Sequence, residues 1–386
     1  MQNKKFELAF ESAFVILMVL SFYLLFFLDW NGLQRGAVLI AYIVLMAIFY
    51  KKITLAADFP LFFKKIAYSL VIAAILLNIG YNLWYFQDFS SEKYIYEGRA
   101  TVLSSEYFFK QGMNPYSQKV DLSGEIAPFD GYKYMPFMFL MHAPFTLFFG
   151  KLGVLIVNLL VYAGILIVAY FLIKKLYGAD SYYPAKFALL FLLCYVVTYE
   201  VFYRGVNDLI PAFFVLCSIT LFFYRKYNWA GVLLGLSIAT KPFPGVFLFL
   251  LFLLDKRFRI VLFSLITGGG FILPFIIWDW WSFFLNIIYF NVLRQANPSS
   301  IYYFMPGFLQ SVWLWLLVLI LGYLLYKWIV SKKRRIDLLY YFTLLSTVFL
   351  LMNKVTHRNY LVWALPFILL ILSKRIDILE YFIKSE

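Results

Sequence analysis

Charged residues, cysteine and histidine are all scarce in this sequence. Lys, Arg, Asp and Glu make up 14% of its 386 residues, while 64% are hydrophobic. Soluble domains carry about 25% charged residues, so this composition excludes a water-soluble fold and predicts a membrane protein. The two cysteines, Cys194 and Cys217, lie in apolar runs without a CxxC or Cys/His pattern. A disulfide framework and a zinc site are therefore not expected.

The sequence also lacks the motifs of nucleotide and hydrolase chemistry. It contains no Walker, HExxH or GxSxG pattern, so direct use of a nucleoside triphosphate is not expected. The triplet Gly268–Gly270 lies inside an apolar run with no preceding strand. We interpret it as a place of close helix packing and not as a phosphate loop. No cofactor and no metal is predicted.

Basic residues determine the predicted topology. The net charge is +14, but Lys and Arg lie mostly in short clusters at the ends of apolar runs, which is typical of cytoplasmic turns and not of a nucleic-acid-binding surface. Placing every cluster in the cytoplasm makes the spans pair up, with both termini inside. The fold class is therefore an all-α polytopic membrane protein of about twelve transmembrane helices, predicted at 11–29, 34–50, 66–87, 152–173, 183–204, 208–224, 229–241, 243–255, 260–277, 309–330, 337–352 and 358–373.

We predict a single integral membrane domain over residues 1–386. Two additional helices occupy 1–65, and the first of them is predicted to be retained because no cleavage pattern follows it. The core covers 66–373, and a cytoplasmic tail covers 374–386. The protein is thus expected in the cell membrane as a multi-pass protein in contact with membrane lipids.

Two long segments fall on the predicted non-cytoplasmic side, 88–151 and 278–310. The first contains most of the polar variety in the sequence, and a long loop in an otherwise economical chain indicates function. Within it we predict two interfacial helices on the outer leaflet, at about 98–111 and at 134–150. A re-entrant hairpin is the alternative for 134–150.

Charged and polar residues near the outer ends of the spans are the candidates for function, because they are costly in a membrane unless they are paired or used. If they converge, they form one polar site at the outer leaflet. Candidates from well-separated segments are Asp88, Glu97, Arg99, Glu200, Arg204, Asn207, Asp208, Lys241, Arg294, Lys354, His357 and Arg358.

Structural explanations exist for several of these candidates. Glu97 and Arg99 fit a solvated loop equally well, and Arg204 and Asp208 would form an ordinary i, i+4 ion pair if one helix ran through both. Gly205 favours a break there instead. Lys241 is followed by Pro242 and Pro244, which break the helix, and an unpaired lysine at a broken helix is a natural contact for an anion.

Four motifs follow one another in a fixed order along the chain. They are an acidic residue 15 positions before a Gly-x-x-Pro-Tyr turn (Glu97, Gly112–Tyr116), a Tyr-x-Tyr-x-Pro stretch (Tyr132–Pro136), a polar turn with a later Lys-Pro pair (Arg204–Asp208, Lys241-Pro242), and a polar turn opening the last span (Thr356–Tyr360). In this order they resemble the GT-C glycosyltransferases that use polyprenyl-phosphate sugars, most closely glycosyltransferase family 87. The chain departs from that pattern in having Glu97 for the usual Asp and Val206 for the usual Gln.

The resemblance implies a GT-C fold and an inverting transferase that moves a hexose, mannose in particular, from a polyprenyl-phosphate donor to a lipid or glycan acceptor outside the cytoplasm. It implies Glu97 as the general base, with Asp208 and Asp88 as alternatives. The remaining roles are donor-phosphate binding by Lys241, Arg204, His357 and Arg358, and substrate binding by Asn207, Tyr132, Tyr134, Tyr116 and Arg99.

Two other classes remain open at this point. A polysaccharide polymerase or ligase is also polytopic with a large outer loop, but would rely on Arg and His without an essential acid in that loop. A lipid-linked sugar transporter would carry charges along a path that reaches both faces of the membrane. Here the candidate charges lie on one face.

Overall fold

A computed structural model of the chain describes residues 96–120, 130–178, 183–192, 194–198, 200–201, 205–294, 296, 301–331, 335–355 and 358–374. Over these residues the secondary structure is helical, without strands. The predicted helices 11–29, 34–50 and 66–87, and the tail after Lys374, lie outside the described residues.

The described residues form α-helices and a few short turns of other helix types. These turns include a π-turn at Leu285–Tyr289 and 3₁₀ turns at Ile301–Phe304 and Arg358–Tyr360. The α-helices are α1 Tyr96–Gln111, α2 Pro136–Phe149, α3 Lys151–Tyr177, α4 Tyr183–Leu192, α5 Tyr195–Thr198, α6 Leu209–Phe223, α7 Tyr227–Thr240, α8 Pro242–Leu254, α9 Phe258–Trp278, α10 Trp280–Phe284, α11 Phe290–Leu293, α12 Gly307–Val330, α13 Arg335–Met352 and α14 Leu361–Lys374.

The predicted spans from 152–173 onward are confirmed as helices, with one exception. The span predicted at 183–204 is wrong as a continuous helix, because α4 ends at Leu192 and Cys194 is non-helical before α5 begins at Tyr195. Gly205 has a φ of +64°, a left-handed conformation that glycine adopts without steric cost. The break expected at Gly205 is therefore present, and it separates Asp208 from the preceding helix.

Three of the described helices, α3, α9 and α12, are long and apolar enough to cross a membrane. The other apolar helices are shorter. Much of α12 is exposed in the structure, with large apolar side chains such as Phe308, Trp315 and Leu319 facing outward. Such a surface is suited to lipid and not to water. The chain is a membrane protein.

Helices α6, α7, α8 and α9 run back and forth between two ends of the bundle. The turns joining α6 to α7 and α8 to α9 are basic, and their aromatic neighbours contact basic side chains: Lys175 Nζ lies 5.3 Å from the Tyr224 ring centroid, and Arg257 Cζ lies 5.7 Å from that of Phe222. We call this the basic end. Asp208 and Lys241 lie at the other ends of α6 and α7, about 20 Å away by the length of α7.

Helices α7 and α9 approach each other closely through small residues. A Cβ added to Gly235 would lie 2.6 Å from the Ser264 carbonyl oxygen, and one added to Gly231 would lie 2.5 Å from that of Ile260. Gly268 also belongs to this contact, because a Cβ added to it would lie 3.4 Å from the Gly235 carbonyl oxygen. A Cβ added to Gly270 would have nothing within 4 Å. Close packing predicted for the glycine triplet is thus confirmed for Gly268.

The two helices predicted in the long first loop are present as α1 and α2. Gly150 alone joins α2 to α3, and Gly153 of α3 lies against the backbone of Phe145 and Thr146. At its other end, the amide of Met135 donates a hydrogen bond to the carbonyl oxygen of Thr240. The loop before α2 is thereby fixed to the end of α7 that carries Lys241. The position of α2 relative to the membrane stays a prediction.

Candidate active site

The candidate site forms where α7 ends and α8 begins. Lys241 is extended, with φ −142° and ψ 128°, between the last residue of α7 and Pro242 at the start of α8. Because proline at a first helical position cannot continue the preceding helix, the chain turns at this point. The turn places the Lys241 ammonium beside the start of α6.

Asp208 and Lys241 form a buried ion pair. Lys241 Nζ lies 2.6 Å from Asp208 Oδ1, and the two side chains are 8% and 0% exposed. Asp208 also accepts hydrogen bonds from the Trp363 indole at Oδ1 and from the Asn359 amide at Oδ2. The sequence predicted an unpaired lysine here, and that prediction is wrong because the break at Gly205 brings Asp208 to it.

Glu97 is a second carboxylate at the same lysine, in a different environment. It lies in the first turn of α1, and its side chain is 16% exposed. Glu97 Oε2 accepts a hydrogen bond from the backbone amide of Asn207 at 3.2 Å and lies 3.9 Å from Lys241 Nζ. Glu97 is therefore held at the site without being enclosed, whereas Asp208 is enclosed completely.

Thr101 connects α1, the helix that carries Glu97, to the segments that contain Asn207 and Tyr132. It lies one turn after Glu97, and its hydroxyl donates to the Glu97 carbonyl oxygen at 2.7 Å. The Asn207 side-chain amide donates to the same hydroxyl oxygen, which lies 3.3 Å from the Tyr132 hydroxyl. These bonds fix the rotation of α1, and so they fix the direction in which Glu97 points.

Aromatic rings surround the ammonium of Lys241. Its Nζ lies 4.5 Å from the ring centroid of Tyr134, 5.9 Å from that of Tyr360 and 6.0 Å from that of Trp363. Tyr360 and Trp363 stack on each other with centroids 4.5 Å apart. Burial, followed by the charges of Glu97 and Asp208, raises the pKa of Tyr134 well above its ordinary value, so Tyr134 is a neutral hydroxyl at the site.

Hydrogen bonds from Tyr116 and Asn286 hold the loop that carries Tyr134 in place. The Tyr116 hydroxyl donates to the Tyr134 carbonyl oxygen at 2.7 Å. Asn286, in the π-turn, donates to the Tyr116 carbonyl oxygen and accepts from the Gly131 amide, each at 3.0 Å. A Cβ at Gly131 would lie 2.2 Å from the Tyr116 carbonyl oxygen. Only glycine fits this close approach of two backbones.

The structure brings together most of the predicted site residues that it describes. Glu97, Asn207, Asp208, Lys241 and Tyr134 meet at one place. Tyr116 and Tyr132 lie next to it but are 1% and 0% exposed, so in this structure they support the loop. The remaining residues are Arg99, whose side chain is exposed, and Asp88, Arg204, His357 and the side chain of Arg358, which lie outside what the structure describes.

Four residues at the site were missed by sequence reasoning: Thr101, Asn359, Tyr360 and Trp363. Thr101 could have been found, since it lies four residues after Glu97 and therefore on the same helix face. Asn359 stands in the predicted polar turn before the last span, but nothing separated it from its neighbours. Trp363 gave no signal, because tryptophan is common at membrane interfaces.

In the part of the chain that the structure describes, no group of three or more His, Cys, Asp or Glu side chains could hold a metal ion. The charged groups at the site include the Lys241 ammonium and two carboxylates, those of Glu97 and Asp208. Both carboxylates lie within 4 Å of Lys241 Nζ. This arrangement can accept a proton at the more exposed carboxylate. It can also bind hydroxyl groups through carboxylate, amide and tyrosine side chains.

The chain was compared with the models of known protein families. The model of glycosyltransferase family 87 matches residues 132–354, more than half of the chain. The matched region includes Tyr134, Asp208 and Lys241, and it begins after α1, which carries Glu97. No curated protein sequence matches the chain.

Proposed function

Because the chain belongs to glycosyltransferase family 87, we propose that it is an inverting enzyme that transfers a hexose, mannose in particular, from a polyprenyl-phosphate donor. The acceptor is a hydroxyl group of a lipid or glycan on the non-cytoplasmic side of the cell membrane. Family membership makes the chain a glycosyltransferase with a sugar donor and an acceptor. The donor class, the sugar, the stereochemistry and the location are the proposal.

The difference between the two carboxylates carries the proposed mechanism. Asp208 is fully enclosed, and both of its oxygens accept from Lys241, Trp363 or Asn359. A carboxylate in that state has no room for a substrate hydroxyl. Glu97 is 16% exposed, although its carboxylate also contacts the Asn207 amide, the Lys241 ammonium and the Tyr134 hydroxyl. Of the two, Glu97 is therefore the one that can receive a proton from an acceptor.

In the proposed reaction Glu97 takes the proton of the acceptor hydroxyl while that oxygen attacks the anomeric carbon. The bond between this carbon and the phosphate oxygen breaks, and its electron pair leaves with the polyprenyl phosphate. Attack opposite the leaving group inverts the anomeric configuration. A positioned general base contributes about 10²- to 10⁴-fold to the rate of such a step.

In this scheme the positive charge of Lys241 is already largely compensated by Asp208 and Glu97. Glu97, Asp208 and Lys241 carry a combined charge of −1, so a phosphate placed among them needs further cations. Arg204, His357 and Arg358 are the proposed donor-phosphate ligands with Lys241, and Asn207, Tyr134 and Arg99 the proposed sugar contacts. The leaving phosphate is stabilised by charge-assisted hydrogen bonds from such groups.

The separation of charge along the bundle supports the proposed orientation. The basic end carries Lys175, Arg225, Lys226 and Arg257, and the candidate site lies at the opposite ends of α6, α7 and α8. Membrane proteins keep such basic turns in the cytoplasm. The site would then face outward, where a lipid-linked sugar and not a soluble nucleotide sugar is the available donor.

The test is sugar transfer by the purified full chain in detergent, with radiolabelled polyprenyl-phosphate mannose as donor and membrane lipid extract as acceptor source. Glu97→Gln should lower turnover by about 10²-fold or more with nearly unchanged donor binding, because shape is kept and the proton acceptor is lost. Glu106→Gln is the matched control, since Glu106 lies on the same helix in an exposed pair with Lys110.

Full activity of Glu97→Gln would remove Glu97 from the base role. If Asp208→Asn or Asp88→Asn were then inactive, the reaction would stand with another base. A wild-type protein that transfers from a nucleotide sugar and not from the polyprenyl phosphate would overturn the proposed donor.

A further inference from the structure

The hydroxyl of Thr101 connects three separate segments of the chain beside the candidate active site. Thr101 is completely buried, and its single hydroxyl proton is used within α1, where it is donated to the Glu97 carbonyl oxygen at 2.7 Å. The Asn207 side-chain amide at 3.0 Å and the Tyr132 hydroxyl at 3.3 Å must therefore both donate to the Thr101 oxygen. A hydroxyl oxygen has two lone pairs and can accept both bonds.

The Glu97 carboxylate receives hydrogen bonds from the same two segments. The backbone amide of Asn207 donates to Glu97 Oε2 at 3.2 Å. Tyr134, two residues after Tyr132, contributes a second hydrogen bond from its hydroxyl, and here the tyrosine is the donor because an ionised carboxylate can only accept. Both donors to Glu97 thus belong to segments that the Thr101 oxygen holds.

The Thr101 oxygen has no substitute as a hydrogen-bond acceptor for Asn207. Asn207 is completely buried, and its side-chain oxygen has no partner among the described residues. Its bond to Thr101 is therefore the one side-chain hydrogen bond that fixes this residue in the described part of the chain. Without the hydroxyl oxygen, two buried donors, those of Asn207 and Tyr132, would lose their acceptor, which is costly enough to favour a shift of both segments.

We propose that Thr101 is a positioning residue for the sugar-transfer reaction. Thr101 does not touch the reactants; its oxygen keeps Asn207 and the loop that carries Tyr134 in place, and these two donors keep the Glu97 carboxylate directed at the acceptor hydroxyl. The proposal rests on the proposed function in one respect, that Glu97 is the base. Proton transfer is sensitive to such placement, since an error of about 1 Å can lower the rate about 10²-fold.

The experiment compares Thr101→Val with Thr101→Ser in the full-length protein, with polyprenyl-phosphate mannose as donor. Valine keeps the shape of threonine without the acceptor oxygen, and serine keeps the oxygen. We expect Thr101→Val to lower kcat about 10- to 100-fold with a nearly unchanged KM for the donor, and Thr101→Ser to keep most of the activity. Thermal unfolding shows whether each variant is folded. An equal loss in both variants would overturn the proposal, because the hydroxyl oxygen would then not be the group that matters.

Thr146→Val is the matched control for the loss of a buried threonine hydroxyl. Thr146 is buried in α2, and its hydroxyl makes the same local bond, to the carbonyl oxygen of His142 four residues earlier. That hydroxyl has no bond to the segments around Glu97, so Thr146→Val should leave kcat nearly unchanged. A loss in Thr146→Val as large as that in Thr101→Val would contradict a specific role for Thr101.

A double variant separates positioning of the base from a general structural effect. If Thr101 acts through the Glu97 carboxylate, Thr101→Val should change the residual turnover of Glu97→Gln little, whereas independent effects would multiply. A loss of the same size in wild type and in Glu97→Gln would overturn the proposal.

The proposed base and the proposed role of Thr101 can fail separately. A strong loss in Glu97→Gln combined with full activity of Thr101→Val would keep Glu97 as the base and remove Thr101 from its support. Full activity of Glu97→Gln would overturn the proposed base itself, and with it the positioning of that base by Thr101.

Discussion

At the scale of single residues, Lys241 is shared by two carboxylates that it keeps in different states. Asp208 is completely buried and both of its oxygens accept hydrogen bonds, whereas Glu97 contacts the Asn207 amide and the Tyr134 hydroxyl and stays 16% exposed. A buried pair of this kind is weak support for stability in general, since desolvation of the charges offsets their attraction. The pair has a stronger effect on where the two side chains lie, because removing either partner leaves the other as an uncompensated buried charge.

Removing one partner of the pair should therefore be worse than removing both. Asp208→Leu leaves the buried Lys241 ammonium with Glu97 alone, 3.9 Å away, and should destabilise the protein by about 3–5 kcal/mol. Asp208→Leu combined with Lys241→Met should recover a large part of this loss, since no uncompensated charge remains. Thermal unfolding in detergent, followed by tryptophan fluorescence, measures both. A double variant no more stable than the single one would show that the ion pair does not govern this site's stability.

At the scale of secondary-structure elements, the contact of α7 with α9 positions the end of α7 that carries Lys241. Helices in a membrane associate through close packing of small residues, because lipid removes the hydrophobic drive. Gly231, Gly235 and Gly268 supply those residues here. The contact has no functional side chain of its own, yet it determines where α7 ends.

Gly235→Ala should separate these two helices. The added Cβ would lie 2.6 Å from the Ser264 carbonyl oxygen, so the backbones must move apart, at a cost of about 1–3 kcal/mol as for other overpacked contacts. We expect a lower melting temperature and reduced sugar transfer. Gly270→Ala is the control, because nothing lies within 4 Å of its Cβ position. Equal melting temperatures for the two variants would mean that the helix contact is more adaptable than the structure indicates.

At the scale of the whole molecule, the charges are divided between two ends. The carboxylates and their lysine lie at one end, and the basic turns lie at the other. Such a division fixes orientation during insertion. It would also confine the proposed transfer reaction to one face of the membrane.

Cysteine labelling of intact cells measures this orientation. The native Cys194 and Cys217 are buried and form no disulfide bond, so the wild-type chain serves as the background. Cysteine at position 119, near the candidate site, should react with a membrane-impermeant maleimide from outside, and cysteine at position 226, in a basic turn, should react only after permeabilisation. The reverse labelling pattern would show that the protein has the opposite orientation in the membrane, with the candidate site facing the cytoplasm.

Local sequence patterns are enough to predict that this is a membrane protein and to place most of the helices in the part of the chain that the structure describes. Apolar runs bounded by basic clusters and prolines carry that information locally, since a helix in a membrane must satisfy its own backbone hydrogen bonds. Helices α6, α7 and α8 thus begin and end close to their predicted limits. The motif order was likewise enough for the family, and the breaks at Gly205 and at Lys241 could be read from glycine and proline alone.

The arrangement of the predicted residues within the site depends on the packing of helices that are distant in sequence. Glu97, Asp208 and Lys241 are far apart in sequence, and which carboxylate pairs with the lysine depends on how α1, α6 and α7 pack. The enclosure of Asp208 by Asn359 and Trp363 comes from the 3₁₀ turn before α14 and from α14 itself, more than 150 residues away. The contacts of Lys133 and Arg294 with the Phe290 ring are of the same kind. Such pairings depend on long-range packing, for which a local sequence pattern holds no information.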